Sequence, residues 1–341
     1  MTTTDPPVTG RGVSGRAGPW RVATRRSPLA RAQAQQVADA LTRLTNRPAE
    51  LVPMATTGDD HPERAIEAFD VKGLFVDRTR NAVLAGDCDI VVHSHKDLPI
   101  GSAPGLVVGA IPARVDPRDA LVTSAGHRLA TLPRDRTVTI GTSSARRRAQ
   151  VGRARRDVLV QPIRGNVGTR LRKVHDGAVD GIVVALAGLQ RLGGAEVEAW
   201  SDLALKVVPL EHGECLHAPA QGALAVECRE DDTVTLAALA VLDDADTRAC
   251  VEAERHLLRE LGGGCTAPVG AHASILPGPS GTPRLELLGM LADENGTRMH
   301  RASHEGPASE PRLVAATMAA SLAAEAPELV DRLGGEEGRR G

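Results

Sequence analysis

The sequence predicts an α/β fold with a largely parallel sheet, followed by a small α+β domain. Three observations carry that prediction. Short apolar runs suited to buried strands alternate with segments of helical periodicity through the first two thirds of the chain. The same strand–turn–helix unit recurs from Thr137 onward. The last third then changes to a long helix, a strand hairpin and a closing helix.

The elements follow in order. Arg21–Ser27 begins as a short strand, with Ser27 placed as a helix N-cap and Pro28 as the first helical residue. Ala30, Ala34, Val37, Leu41 and Leu44 then mark one face of an amphipathic helix. Leu51–Met54 reads as strand, Phe75–Leu84 as helix and Asp89–His93 as a buried strand. Downstream, Thr137–Ile140 is strand, Gly141–Ser144 a turn rich in capping hydroxyls, and a helix starts at Ala145. Val158–Val160 leads through Gln161–Gly165 to a helix over Val167–His175, and Asp180–Leu186 is another strand. In the last third, Asp246–Leu261 is helical, Arg284–Leu291 is a strand, Glu294-Asn-Gly296 signals a hairpin, and Leu313–Leu333 closes the chain as one helix.

Composition excludes several classes. Only four of 341 residues are aromatic, Trp20, Phe69, Phe75 and Trp200, so the core is built from Ala, Val, Leu and Ile. Base stacking on aromatic platforms is therefore unavailable. The formal net charge of −2 leaves no global field for a polyanion, and no nucleic-acid partner is expected. No run approaches the roughly 18 apolar residues of a membrane span. Residues 1–19 are Thr/Pro/Gly/Arg-rich without an apolar stretch and read as a disordered leader. Cys88, Cys215, Cys228, Cys250 and Cys265 form no close pair, which speaks for a reducing compartment and against a thiolate metal site.

Three strand-to-helix junctions place arginine beside a hydroxyl or glycine. They are Thr24–Ser27 with Arg25, Gly141–Ser144 running into Arg146, Arg147 and Arg148, and Arg164-Gly165-Asn166 with Arg170 one turn on. Ligands of parallel α/β sheets bind at this edge, helix N-termini attract anions, and arginine binds carboxylates bidentately. The alternative is a set of solvated surface arginines. No P-loop pattern occurs.

Val92–Pro99 ends a strand at the edge where catalytic groups lie, and carries Ser94, Lys96 and Asp97. Alternation would put His93 and His95 on one face, as in metal hydrolases. A plain strand end with a Lys–Asp pair is the other reading. His212, Cys215 and His217 look ligand-like, but their segment reads as a linker, and no metal is expected. Cys265 follows a Gly-Gly-Gly loop, whereas Cys88, Cys228 and Cys250 read as packing residues.

Nine motifs occur in order. They are Ala-Thr-Arg-Arg-Ser-Pro-Leu-Ala, Lys-Gly-Leu-Phe, Val-His-Ser-His-Lys-Asp-Leu-Pro, Asp-Pro-Arg-Asp-Ala, Gly-Thr-Ser-Ser-Ala-Arg-Arg, Ile-Arg-Gly-Asn-Val-Gly-Thr-Arg, Ala-Gly-Leu-Gln-Arg-Leu-Gly, Gln-Gly-Ala and Gly-Gly-Cys-Thr-Ala-Pro-Val-Gly. With them the chain resembles the hydroxymethylbilane synthase, or porphobilinogen deaminase, family from about Val22 to the C-terminal helix.

The resemblance implies two lobes of the type-2 periplasmic-binding-protein kind and a third domain carrying the cysteine. The corresponding boundaries are 20–112 with 213–232, then 113–212, then 233–333, with a flexible tail over 334–341. It implies a dipyrromethane cofactor joined by a thioether to Cys265. It also implies a transferase that joins four porphobilinogen molecules head to tail, loses ammonia at each step and hydrolyses the product to hydroxymethylbilane. A cytoplasmic monomer is expected. Asp97 matches the catalytic carboxylate, which protonates the leaving amine and balances charge on the pyrrole rings. Arg25, Arg146, Arg147, Arg164, Arg170 and Arg191 match contacts to the substrate's acids. Ser27, Lys72, Ser94, Lys96, Thr142, Ser143, Ser144, Gly165, Asn166 and Gln221 complete the expected binding set, and Phe75 matches an aromatic near the substrate ring.

Four departures stand out. Ala68–Val71 replaces a glycine-containing loop before Lys72, His95 stands where Met or Leu is frequent, and Ala220 replaces a glycine. Arg78 and Arg80 occupy a helix that is usually acidic. A non-catalytic polycarboxylate-binding relative and a hydrolase built on His93 and His95 are the competing readings.

Overall fold

A computed structural model describes residues 18–54, 71–101, 103–201, 203–264, 266–278 and 281–338, without the side chains of 71–77, 194–201 and 334–338. Residues 1–17 of the expected leader and 339–341 of the expected tail lie outside the described residues.

Two five-stranded sheets share one topology. The first contains β1 (Trp20–Arg25), β2 (Ala49–Met54), β3 (Ile90–Ser94), β4 (Leu106–Ala110) and β10 (Leu224–Arg229), in the order β2-β1-β3-β10-β4. The second contains β5 (Asp119–Thr123), β6 (Val138–Gly141), β7 (Val158–Gln161), β8 (Gly181–Ala185) and β9 (Lys206–Pro209), in the order β7-β6-β8-β5-β9. Each sheet has one antiparallel strand, β10 or β5, and in each it is the first strand laid down after the chain crosses between sheets. The other pairings are parallel. Two mixed sheets of identical order are the two-lobed α/β arrangement that the resemblance implied.

Alternation along the strands explains why both sheet faces are covered. Val22, Ile90 and Val92 pack against Ala34, Val37, Ala38 and Leu41 of α1 (Pro28–Thr45), while Ala23 and Val91 face Val83 of α2 (Val71–Leu84). In the second sheet, Val122, Ile182 and Val184 face Leu171 and Val174 of α4 (Val167–His175). Leu121, Ile140 and Val183 pack with Val151 of α3 (Ala145–Ala154). The helix starts match the capping argument. Ser27, Ser144 and Asn166 are N-caps whose side chains accept from Ala30, Arg147 and Thr169 amides.

The third unit is an antiparallel meander of β11 (Val269–Pro277), β12 (Pro283–Ala292) and β13 (Met299–Pro307). Helices α7 (Ala245–Glu260) and α8 (Pro311–Glu325) cover it, burying Leu257, Leu285, Leu287, Met318 and Leu322. The single closing helix expected over Leu313–Leu333 is two. Pro327 lacks the amide needed to continue and disfavours helical backbone at Ala326, so α8 gives way to α9 (Pro327–Gly338) at a 112° bend. No single helix among the described residues is long and apolar enough to cross a membrane.

Two crossing segments, 111–118 and 210–223, link the sheets. They carry much of the polar chemistry described next.

Candidate active site

A cavity of about 1270 Å3 opens between the two sheets and the third unit. The turn after β3 contributes Ser94, Lys96 and Asp97. Here the strand alternation stops: β3 ends at Ser94, and His95–Asp97 forms one turn of 3-10 helix. Asp97 is thereby exposed to the cavity, while His95 turns inward and is 5% exposed. This corrects the shared face expected for His93 and His95. His93 Nε2 sits 3.2 Å from Glu227, and neither ring lines the cavity. Glu227 also takes two hydrogen bonds from Arg80, at 2.6 and 2.7 Å, so that unusual basic residue of α2 has a buried partner. Burial, reinforced by Arg255, lowers the His95 pKa to about 3. The imidazole is neutral, and its Nδ1 has no hydrogen-bond partner.

The Asp97 turn is held from the third unit. Arg255 of α7 donates to the carbonyls of His95, Leu98 and Pro99 at 3.1, 3.2 and 2.6 Å. Arg259 donates to Ile100 O. Lys96 Nζ donates to Gln221 Oε1 at 3.0 Å, and burial pushes its pKa down to about 8 despite Asp97 beside it.

The β6–α3 junction lines the opposite wall with Thr142, Ser143, Ser144, Arg146 and Arg147. Ser143 bridges to the neighbouring junction, donating to Ile163 O and accepting from its amide. Arg146 and Arg147 converge on Asp119 at the start of β5, which is fully buried. Arg146 Nη1 reaches Oδ2 at 2.8 Å, and Arg147 reaches Oδ1 through Nη2 at 2.7 Å and Nε at 3.1 Å. Gln221 Nε2 donates to the same Oδ1 at 2.8 Å. Burial alone would raise the Asp119 pKa; the two guanidiniums reverse this and hold it far below the usual carboxylate range. The arginines expected to meet substrate acids thus already share one protein carboxylate, which fixes their direction.

Arg170 and Arg191 also line the cavity. Burial and the Arg147 charge lower the Arg170 pKa, and burial lowers that of Arg191 to about 10. Cations destabilised in this way are poised to gain from an anion. Arg191, on α5 (Leu186–Ser201), donates to Gly222 O at 2.7 Å and Gln36 at 3.3 Å, tying one lobe to the other. Gly222 sits at φ +88, and an added Cβ would meet Val115 O at 2.6 Å.

Not every expected residue reaches the wall. Arg25 and Ser27 are not among its lining residues, and α1 presents Leu29 and Gln33 instead. Arg164, Gly165 and Asn166 are exposed and outside it; Gly165 O accepts from Arg170, and Asn166 caps α4. Lys72 and Phe75 belong to α2, whose backbone starts at Val71 rather than Phe75, but their side chains are not among those described. Cys265 lies outside the described residues; its neighbours Thr266 and Pro268 line the cavity.

Sequence reasoning missed four residues here: Asp119, Arg114, Glu254 and Arg255. Arg114 and Glu254 form a bidentate pair at 2.7 and 2.8 Å, and Glu254 also accepts from the amides of Ala220 and Ala273. Asp119 and Arg114 lie in or beside Asp-Pro-Arg-Asp-Ala, the one signal that pointed at this segment. Cys215 turns to Asp119 and Arg146, with burial pushing its thiol up to about 12, while His212 and His217 meet His272 of β11. Cys228 and Cys250, also buried, are pushed up to about 12.

A cleft between two α/β lobes, lined by Arg146, Arg147, Arg170, Arg191, Lys96 and hydroxyls with the exposed Asp97 carboxylate among them, defines a binder or transformer of small polycarboxylates. Residues 20–237 match the family model described as "Porphobilinogen deaminase, dipyromethane cofactor binding domain", and residues 248–324 match its C-terminal domain. The chain belongs to the porphobilinogen deaminase family. It is 44% identical over 309 residues to porphobilinogen deaminase 1 of Streptomyces coelicolor, covering 89% of this chain and 93% of that protein. It is 46% identical over 308 residues to porphobilinogen deaminase of Mycolicibacterium paratuberculosis, with 89% and 93% covered. Solved structures with looser likeness include YhfZ from Shigella flexneri, with TM-score 0.35, 16% identity, and 71% of this chain and 90% of that one covered. An ancestral arginine-binding protein bound to glutamine has TM-score 0.35, 16% identity, and 67% and 91% covered.

Proposed function

We propose that the chain is a hydroxymethylbilane synthase. It joins four porphobilinogen molecules onto a covalent dipyrromethane primer, releases ammonia at each addition and frees the linear tetrapyrrole by hydrolysis. The observation that carries this reading is the exposed Asp97 carboxylate on a cavity that also gathers Lys96, Arg146, Arg147, Arg170, Arg191 and the hydroxyls of Thr142, Ser143 and Ser144, with Thr266 beside Cys265 on the same cavity.

The donor set fits a cofactor bearing several carboxylates. Arg147, Arg170, Arg191, Lys96, Ser143 and Thr142 would hold its acetate and propionate groups, and Cys265 would bear its thioether. When bound, dipyrromethane supplies the free pyrrole carbon from which the chain grows. Asp97 delivers a proton to the departing amine of the incoming substrate and, once ionised, balances positive charge on the substrate ring. Arg255 keeps that carboxylate in place through the backbone of its turn. Lys96 offers its ammonium to a substrate acid while Gln221 steadies it. The roles of Arg25, Ser27, Arg164 and Phe75 belong to the same proposal, as contacts made when the lobes close on substrate.

The expected domain boundaries, 20–112 with 213–232, 113–212 and 233–333, are part of the reading and agree with the strand membership of the three sheets. So are a monomeric state and a cytoplasmic location. The non-catalytic alternative is not favoured, because Asp97 and Cys265 are both retained within a family match spanning most of the chain.

Turnover tests it. Purified protein given porphobilinogen should release one ammonia per substrate consumed and yield a linear tetrapyrrole, and Asp97→Asn should stop both while keeping the fold. A protein that is stabilised by porphobilinogen but releases no ammonia would be a binder only.

A further inference from the structure

We propose that His212, His217 and His272 form a binding site for one divalent first-row transition cation of the zinc class. Their candidate ligand atoms all lie within 4.8 Å of one another. Tetrahedral zinc with bonds of about 2.0–2.1 Å places its nitrogen ligands about 3.3 Å apart, so modest ring adjustments close the set. His217 Nε2 and His272 Nδ1 are already 3.0 Å apart. The His212 ring stacks on His272 with centroids 3.9 Å apart.

Two further observations point to a ligand. The first is the outer contact of His217. Its ring is fully buried, and Nδ1 lies 2.9 Å from Ala218 O. A carbonyl can only accept, so Nδ1 carries the hydrogen and Nε2 presents a lone pair toward the other two rings. A backbone carbonyl on the far nitrogen is how protein surroundings orient a metal-binding histidine. The second is His212 Nδ1, a buried nitrogen with no hydrogen-bond partner. An orphaned polar atom in such a place is unfavourable unless something fills its coordination.

Burial, helped by Arg114, lowers the His272 pKa to about 3 and puts that of His217 well below its ordinary value. Burial and Arg118 lower that of His212. Asp116, Glu211 and Glu254 also face the group and partly offset the arginines. A cation replaces the hydrogen between His217 and His272, and that hydrogen moves to Nε2 of the neutral His272 ring. No net proton is released. A recess of about 300 Å3 lies beside His272, lined by Arg114, Asp116 and Thr247.

The site ties parts of the chain that no covalent link joins locally. His212 and His217 lie on the crossing segment that returns from the second lobe to the first, and Arg301 fixes it through His212 O and Gly213 O. His272 lies on β11, the first strand after Cys265, and the Ala271 amide donates to His217 O. A bound cation therefore pins β11, the strand that follows Cys265, to the crossing segment 210–223. Its role is structural.

The test uses full-length protein stripped with a chelator and titrated with Co2+, then Zn2+. One equivalent of Co2+ should bind, give the intense visible ligand-field bands of a low-coordinate site with nitrogen ligands, and be displaced by Zn2+. His272→Ala and His212→Ala, each checked by circular dichroism, should weaken Co2+ binding by more than ~100-fold, beyond the cost of losing an outer contact. Zn2+ should raise the thermal midpoint of the stripped wild type and not of a folded variant. Failure of the wild type to retain Co2+ or Zn2+ in equilibrium dialysis overturns the proposal and leaves a hydrogen-bonded imidazole cluster. Full retention by either variant overturns it as well. Neither result depends on whether the chain turns over porphobilinogen.

Discussion

Replacing Asp119 with asparagine removes the one anion that two buried guanidiniums share. The carboxylate is fully buried and accepts from Arg146 at 2.8 Å, from Arg147 at 2.7 and 3.1 Å, and from Gln221 at 2.8 Å. An amide can satisfy only one side of this cluster, because its NH2 would face a donor. With its oxygen toward Arg147 and Gln221, its nitrogen meets Arg146 Nη1. Arg146 keeps Leu216 O and Arg147 keeps Val183 O, so neither loses every partner. Losing the Arg146 bond and the acceptor charge that Arg147 meets, at about 1.5–3 kcal/mol each, gives a loss of ~3–6 kcal/mol. Removing one partner from a buried ion pair costs a similar ~3–5 kcal/mol. Urea denaturation followed by far-ultraviolet circular dichroism measures this, with Asp116→Asn as the control. Asp116 pairs with Arg118 in a half-buried bridge whose loss should cost no more than about 1 kcal/mol. A polycarboxylate ligand should recover part of the Asp119→Asn loss by supplying the missing anion. A loss below ~1 kcal/mol, or none beyond the control, would show that Asp119 does not hold the arginine pair together.

Other changes have equally definite outcomes. Ala220 sits at φ +61, where a Cβ costs roughly 1–2 kcal/mol, so Ala220→Gly should stabilise by about 1 kcal/mol in the same denaturation assay, less the packing lost. His95 is held neutral with a pKa of about 3 against 6.5 for the free side chain, so the unfolded chain binds the extra proton between these values. Stability from this residue is complete above pH 6.5 and is lost as pH falls, by about 1.4 kcal/mol per unit. His95→Met should flatten that slope, seen as urea midpoints compared at pH 7.5 and 5.5. Arg255→Met should lower kcat by about 10–100-fold with KM little changed, because it frees the Asp97 turn without touching the arginine wall; steady-state kinetics separate the two.

Local features were legible where neighbouring residues decide them. The caps at Ser27 and Ser144 depend on a side chain and an amide three residues on. The helix Val167–His175 and the cavity positions of Arg147 and Arg170 followed from strand-to-helix junctions, and those of Lys96 and Asp97 from the carboxyl end of a strand. What escaped is non-local. Asp119 meets Gln221 across 102 positions and Arg114 meets Glu254 across 140, and no periodicity links such pairs. The crossing strands β5 and β10 are apolar runs of ordinary length, and nothing in their composition says that they pair antiparallel. The His212–His272 encounter depends on β11 docking against the returning segment, 60 residues downstream. By contrast the break at Pro327 was within reach, since proline ends a helix for local reasons.

The most direct test of the central claim is the intact mass of the protein made with porphobilinogen available. The chain should be heavier than its sequence by two porphobilinogen units, each less one ammonia, with the addition mapping to the peptide that contains Cys265 and missing from Cys265→Ser. Mature protein at the bare sequence mass, or an addition that survives Cys265→Ser, would contradict that claim.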